Sequence, residues 1–231
     1  MTALAIILNE RRRIAAEALG TALLVAAVIG SGIMAQRLTA DRAVALLANT
    51  VATGGALVAI LLVFGPISGA HLNPAVTLCM VAMKQQTPRS AAGYITAQVA
   101  GGIAGAILAN AMFELAPITW SMTTRTGLAQ SLSEAVATFG LVGVVIAVGR
   151  TRAAITPFAV TAYIVAAYWF TASTSFANPA VTIARAFSDT FAGIRPGDVA
   201  GFLIAQAIGA AMGAPVFSWL VPLGERTPVG D

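Results

Sequence analysis

The chain has 231 residues, of which 58% are hydrophobic and 10% charged, with a formal net charge of +4 and a mean hydropathy of +0.86. Water cannot solvate such a surface over most of its area, which excludes a soluble globular domain; sparse Arg residues at the ends of apolar stretches suit anionic lipid headgroups better than nucleic acid. The one cysteine, Cys79, excludes an intrachain disulfide and reads as a small apolar packing residue.

From the N-terminus, Arg11, Arg12 and Arg13 precede a long apolar stretch with no cleavage-like ending, so the first predicted element, Ile14–Gln36, is a retained transmembrane helix and not a signal peptide. Five more spans are predicted at Val44–Phe64, Ser90–Phe113, Gly127–Val148, Thr156–Phe170 and Gly197–Leu220. The tails Met1–Glu10 and Glu225–Asp231 carry no evident regulatory motif. Arg11, Arg12, Arg13, Lys84, Arg89, Arg150, Arg152 and Arg226 fall on one side of this arrangement. Arg37, Arg42, Arg125, Arg185 and Arg195 fall on the other. The first group is larger, which predicts an inner-membrane protein with both termini in the cytoplasm.

Two shorter elements follow the second and fifth spans. Ser68-Gly-Ala-His-Leu-Asn73-Pro74-Ala75-Val76-Thr77 and Ser175-Phe-Ala-Asn178-Pro179-Ala180-Val181-Thr182 each place Asn at a helix N-cap and Pro at the first helical position. Only about ten apolar residues follow, enough for roughly 15 Å of helix, half of a ~30 Å hydrocarbon core. Two such half-helices entering from opposite faces would meet at the midplane with their positive ends and their Asn amides facing one point. Broken helices of this kind are tolerated only where they line a cavity, so the pattern reads as a pore.

The halves repeat. Glu17-Ala-Leu-Gly-Thr21 matches Glu134-Ala-Val-Ala-Thr138, and the stretch from Ala97-Gln98 to Gly105 matches that from Ala205-Gln206 to Gly213. Three spans per copy is an odd number, so tandem copies enter the membrane in opposite senses. The expectation is a single channel domain over 1–231 built as an inverted repeat, about 14–113 and about 127–221, with its functional centre between the copies. Gly101, Gly102 and Gly105, and Gly209 and Gly213, have the small-xxx-small spacing that lets helices approach closely.

The central chemistry follows from the residues. Asn73 and Asn178 amides present donors to a permeating oxygen, which then cannot donate along the file, so protons lack a continuous wire. The half-helix ends oppose any cation there. Glu17 and Glu134 lie inside apolar spans, where an ionisable residue is costly and normally functional, a snorkelling carboxylate being the alternative. His71, the sole histidine, reads as a hydrogen-bonded packing residue in its loop more than as a pH sensor. Tyr163, Tyr168, Trp169 and Phe170 read as packing residues or interfacial anchors. No nucleophile or metal-ligand cluster accompanies the intramembrane carboxylates, and no cofactor is implied, which argues against an enzyme. No carboxylate lies beside either Asn-Pro-Ala in sequence, which argues against an ion-coupled transporter.

On these residues the whole chain resembles the aquaporin and aquaglyceroporin (major intrinsic protein) channels. The resemblance implies an all-α fold of six transmembrane helices plus two re-entrant half-helices, the aquaporin fold. It also implies a homotetramer in lipid with a pore in every protomer, and passive flow of small neutral solutes and water. It makes Asn73, Pro74, Ala75, Asn178, Pro179 and Ala180 the central constriction, with Glu17, Glu134 and His71 supporting the pore loops.

One position departs from the family's water channels, where an Arg follows the second Asn-Pro-Ala. Here it is Val181, and counting along the motifs puts the other selectivity-filter positions at Thr53, Ala166 and Ser175, none large, aromatic or charged. A wide filter with two hydroxyls suits solutes bigger than water. Metalloid hydroxides such as arsenous acid, and methylated arsenicals, fit it better than glycerol, and the chain resembles the bacterial group associated with arsenic resistance. An ordinary water channel and a weakly conducting scaffold are the alternatives. Arg185, one helical turn beyond Val181, is expected in the outer vestibule near Asp189; a filter charge relocated to this residue is the competing possibility.

Overall fold

The computed structural model describes residues 3–223, and these are helical apart from connecting loops, with no β-strand among them. Six helical segments are long and apolar enough to span a bilayer: α1 (Ala3–Leu38), α2 (Arg42–Ser68), α4 (Pro88–Met112), α5 (Leu128–Thr151), α6 (Thr156–Phe170) together with the 3-10 turn Ala153–Ile155 that leads into it, and α8 (Pro196–Leu220). Two short helices, α3 (Pro74–Ala82) and α7 (Pro179–Arg185), follow α2 and α6. At about 1.5 Å per residue they reach roughly 14 and 11 Å and end inside the bundle.

The helix ends follow local chemistry. Asp41 accepts from the backbone N–H groups of Ala43 (2.7 Å) and Val44 (3.1 Å) to open α2. Gly69, at φ +88°, closes it in the left-handed conformation that glycine adopts without a Cβ clash. Thr87 caps α4, and Pro stands at the start of α3, α4, α7 and α8, where its missing N–H leaves no bond unmade. The predicted fifth span coincides with α6. The first is longer than predicted, since α1 runs through Arg11–Arg13, and the second half-helix is shorter than ten residues.

Six crossings bring the ends of α1 and α8 to one face of the bundle, here the terminal face. The opposite face carries the 113–127 loop and the exit of α7. Of the charges used to orient the chain, Arg226 lies outside the described residues, and Arg185 is buried in the bundle instead of lying in an aqueous loop.

The repeat governs packing. α1 lies on α4 and α5 on α8. The contact is close because a Cβ at Gly101 or Gly105 would run into the carbonyls of Ala18 and Ala22, and one at Gly209 into that of Ala135. Between the pairs, Leu24, Val28, Leu57, Leu72, Leu141 and Val181 form the main apolar cluster. Cys79 packs in a smaller one with Ala75, Val142 and Ala210, as a packing residue should. Leu19, Val51, Leu132 and Ile204 point outward, apolar side chains left for lipid or for a neighbouring protomer.

Candidate functional site: a cavity through the bundle

The two half-helices meet near the middle of the bundle. The Asn73 side-chain oxygen accepts from Ala75 N–H (2.9 Å), and that of Asn178 from Ala180 N–H (3.0 Å) and Val181 N–H (3.3 Å). Each Asn also donates across the repeat: Asn73 Nδ2 to the Ala177 carbonyl (2.8 Å), and Asn178 Nδ2 to the Leu72 carbonyl (2.7 Å). The crossed bonds lock the loops together and use one N–H of each amide. The second remains available to a solute, so each Asn offers one donor to the pore.

The loops before the half-helices are bent into conformations that non-glycine residues rarely take. Ala70 and Leu72 in the first, and Thr174, Ser175 and Ala177 in the second, all have φ between +45° and +60°. The fully buried Glu17 and Glu134 hold them there. Glu17 accepts from Ser68 Oγ (2.6 Å), His71 N–H (3.0 Å), Leu72 N–H (2.6 Å) and Gln98 Nε2 (2.7 Å). Glu134 accepts from Phe176 N–H (2.8 Å), Ala177 N–H (2.9 Å) and Gln206 Nε2 (2.6 Å). Gln98 and Gln206 also bond the Thr77 and Thr182 hydroxyls, so both halves contain the same Glu–Gln–Thr cluster. The two carboxylates therefore lie beside the Asn-Pro-Ala motifs in space, although not in sequence. Neither lines the cavity. Snorkelling is ruled out by their burial.

One cavity of about 780 Å³ runs past the Asn pair. It opens at the terminal face among Met83, Gln85, Arg150 and Leu223, passes His71, Asn73 and Asn178, and continues along Thr53, Ser175, Val181 and Arg185. His71 Nδ1 lies 3.1 Å from Thr77 Oγ1, and its ring meets Tyr94 edge-on.

One filter expectation is overturned. Ala166 is exposed on the outside of α6 and does not line the cavity; the wall residues from that helix are Thr156, Val160, Ile164 and Tyr168, spaced by four, with Pro157 beside the first. Ala166 lies two positions from Ile164, roughly 200° around the helix, so counting residues from the motif selected the wrong face. An aromatic residue thus lines this half, since Tyr168 is buried with its side toward the cavity, unlike the outward-facing Trp169 and Phe170. Thr53 Oγ1 and Ser175 Oγ have no hydrogen-bond partner among the described residues.

Arg185 also differs from the vestibule expectation. The Asp189 carboxylate accepts from Met122 N–H, whereas Arg185 Nε donates to the Ala192 carbonyl and the guanidinium lies 3.4 Å from the centre of the Phe176 ring. Sequence reasoning gave Arg125 only a topological role. It lies 4.9 Å from the same ring and donates to the Gly193 (2.8 Å), Ser173 (3.1 Å) and Phe191 (3.4 Å) carbonyls, tying the 113–127 loop to the loops on either side of α7. Burial pushes its guanidinium down to about 10, still a cation at neutral pH.

Residues 6–167 match the family model described as major intrinsic protein. The chain is 58% identical over 210 residues to aquaglyceroporin AqpS of Rhizobium meliloti (strain 1021), covering 91% of this chain and 90% of that one. It is 35% identical over 144 residues to aquaporin NIP6-1 of Arabidopsis thaliana, covering 62% of this chain and 47% of that one. The X-ray structure of the aquaglyceroporin from Plasmodium falciparum superposes with a TM-score of 0.67 at 20% identity, covering 91% of this chain and 95% of that one, a likeness of fold. With two re-entrant helices, a cavity that runs from the terminal face past both Asn caps as far as Arg185, and these matches together, the chain belongs to the major intrinsic protein family, as a multi-pass membrane channel for small neutral solutes and not an enzyme.

Proposed function

We propose that this channel passes small uncharged solutes larger than water, with metalloid hydroxides such as arsenous acid and methylated arsenicals foremost and glycerol-like solutes and water alongside. The observation that carries the reading is Val181. It follows the second Asn-Pro-Ala and lies on the cavity wall, so no guanidinium fork narrows the conduit at that level. Thr53, Ser175 and Val181 form the filter with Ile164 and Tyr168 in place of Ala166. The unpartnered Thr53 and Ser175 hydroxyls orient a solute hydroxyl against an otherwise apolar wall. The protein is read as a homotetramer in the plasma membrane with its terminal face cytoplasmic. The relative at 58% identity is an aquaglyceroporin, which supports solutes beyond water.

Stopped-flow light scattering on proteoliposomes tests this with water, glycerol and arsenous acid, in the wild type and in Val181→Arg. Fast arsenous acid entry that the substitution depresses while water flux persists supports the wide filter. Water flux alone in the wild type would make the protein a water pore closed to larger solutes by Tyr168 and Arg185. The absence of any flux would favour a scaffold role.

A further inference from the structure

The half-helices offer an internal comparison at equal distance from their Asn caps. Val76 and Val181 are third after Asn73 and Asn178; Met80 and Arg185 are seventh. All four line the cavity, as residues four apart on one helical face should. The seventh position therefore faces the conduit in both halves, and only the second half puts a charge there.

That charge has no carboxylate partner. Among the described residues the one ion pair is Arg195–Asp198. Arg185 lines the cavity and is 2% exposed; its Nε is bonded to the Ala192 carbonyl, and its terminal N–H groups have no acceptor among the described residues. Phe176 backs the guanidinium, and Arg125 stands against the same ring, adding to the positive field. Glu134, the neighbouring carboxylate, is engaged by three donors and stays out of the cavity. A buried cation facing a water-accessible, low-dielectric conduit acts strongly on anything charged inside it.

We propose that Arg185 is a specificity-determining residue of this pore. From one turn beyond Val181 it supplies the fixed positive charge that excludes cations from this half of the conduit. Cation exclusion is then divided between the midplane and Arg185, and the Arg-free filter level stays wide. The inference rests on the pore and not on the metalloid reading, so the solute measured is glycerol; failure of arsenous acid flux would bear on that reading alone.

The experiment compares wild type, Arg185→Gln, Arg185→Lys and the double variant Val181→Arg/Arg185→Gln in proteoliposomes. Potassium leak is followed with a potential-sensitive dye and glycerol entry by light scattering. Arg185→Gln should raise potassium permeability about tenfold or more while glycerol entry stays within about twofold. Arg185→Lys should retain exclusion, and the double variant should restore it, because a charge returns to the same wall. Wild-type potassium exclusion in Arg185→Gln with glycerol entry intact would overturn the proposal. So would loss of glycerol entry in both single variants, which would make Arg185 a tie for the α7 exit through Ala192, or a leak that the double variant fails to close.

Discussion

Glu134→Gln isolates what holds the second pore loop, because it keeps the size of the side chain and removes one acceptor. The carboxylate is fully buried and surrounded by donors alone: Phe176 N–H, Ala177 N–H and Gln206 Nε2. In its better orientation a glutamine keeps its oxygen on Ala177 and Gln206 and points its own NH2 at the Phe176 N–H. That leaves one buried N–H unsatisfied, at about 1–3 kcal/mol, and removes the charge assistance from two bonds, at about 1 kcal/mol each. The sum is about 3–5 kcal/mol, enough to lower a thermal midpoint in detergent by roughly 10 °C for a chain of this length. The loop also carries Thr174, Ser175 and Ala177 at positive φ, so once released it relaxes and solute flux in proteoliposomes falls with it. Glu17→Gln should fall further, since either orientation of its amide turns an NH2 toward two of the four donors that Glu17 accepts. A midpoint within about 2 °C of wild type and unchanged flux in Glu134→Gln would refute the view that these carboxylates hold the loops.

Gly105→Leu should prevent assembly of the bundle, because even a Cβ there collides with the Ala22 carbonyl across the α1–α4 contact; size-exclusion chromatography in mild detergent should show aggregate in place of a monodisperse peak. Ala166→Phe, on the outer side of α6, should leave glycerol entry within about twofold of wild type, whereas Ile164→Phe, on the wall, should cut it about tenfold or more; equal effects in light scattering would reinstate Ala166 as a filter position.

The architecture was legible because it is written in one-dimensional signals. Apolar runs bounded by charge gave the spans, and the Asn-Pro pairs gave the half-helices, since capping chemistry is local. The repeat identified Glu17 with Glu134 and Gln98 with Gln206, and space adds that each Gln completes the cluster of its own Glu. What could not be read was azimuth. α6 is apolar on all sides, so its sequence lacks the polar stripe that would mark the wall face, and a two-residue error exchanged Ala166 for Ile164 and Tyr168. Arg125 escaped notice for another reason: its partners are the carbonyls of Ser173, Phe191 and Gly193, and backbone acceptors leave no trace in residue identity.

The repeat also indicates where specificity can be placed. The Asn caps, the Glu–Gln–Thr clusters and the crossed bonds between loops occur in both halves, so they are committed to building the pore and cannot distinguish its two ends. Departures from symmetry along the cavity are what remain, and three of them are Arg185 opposite Met80 in register, the hydroxyl of Ser175 where the first loop has Ala70, and a 113–127 loop that sends Arg125 behind Phe176. All three lie on the side away from the terminal face. A solute entering from that side meets the Ser175 and Thr53 hydroxyls and the Arg185 charge before the midplane, while one entering from the other meets Arg150 and Gln85 at the mouth and then Met83, Met80 and His71. A passive channel must carry equal permeability in both directions whatever its lining, so this polarity acts on which solutes are admitted and not on the direction in which they move.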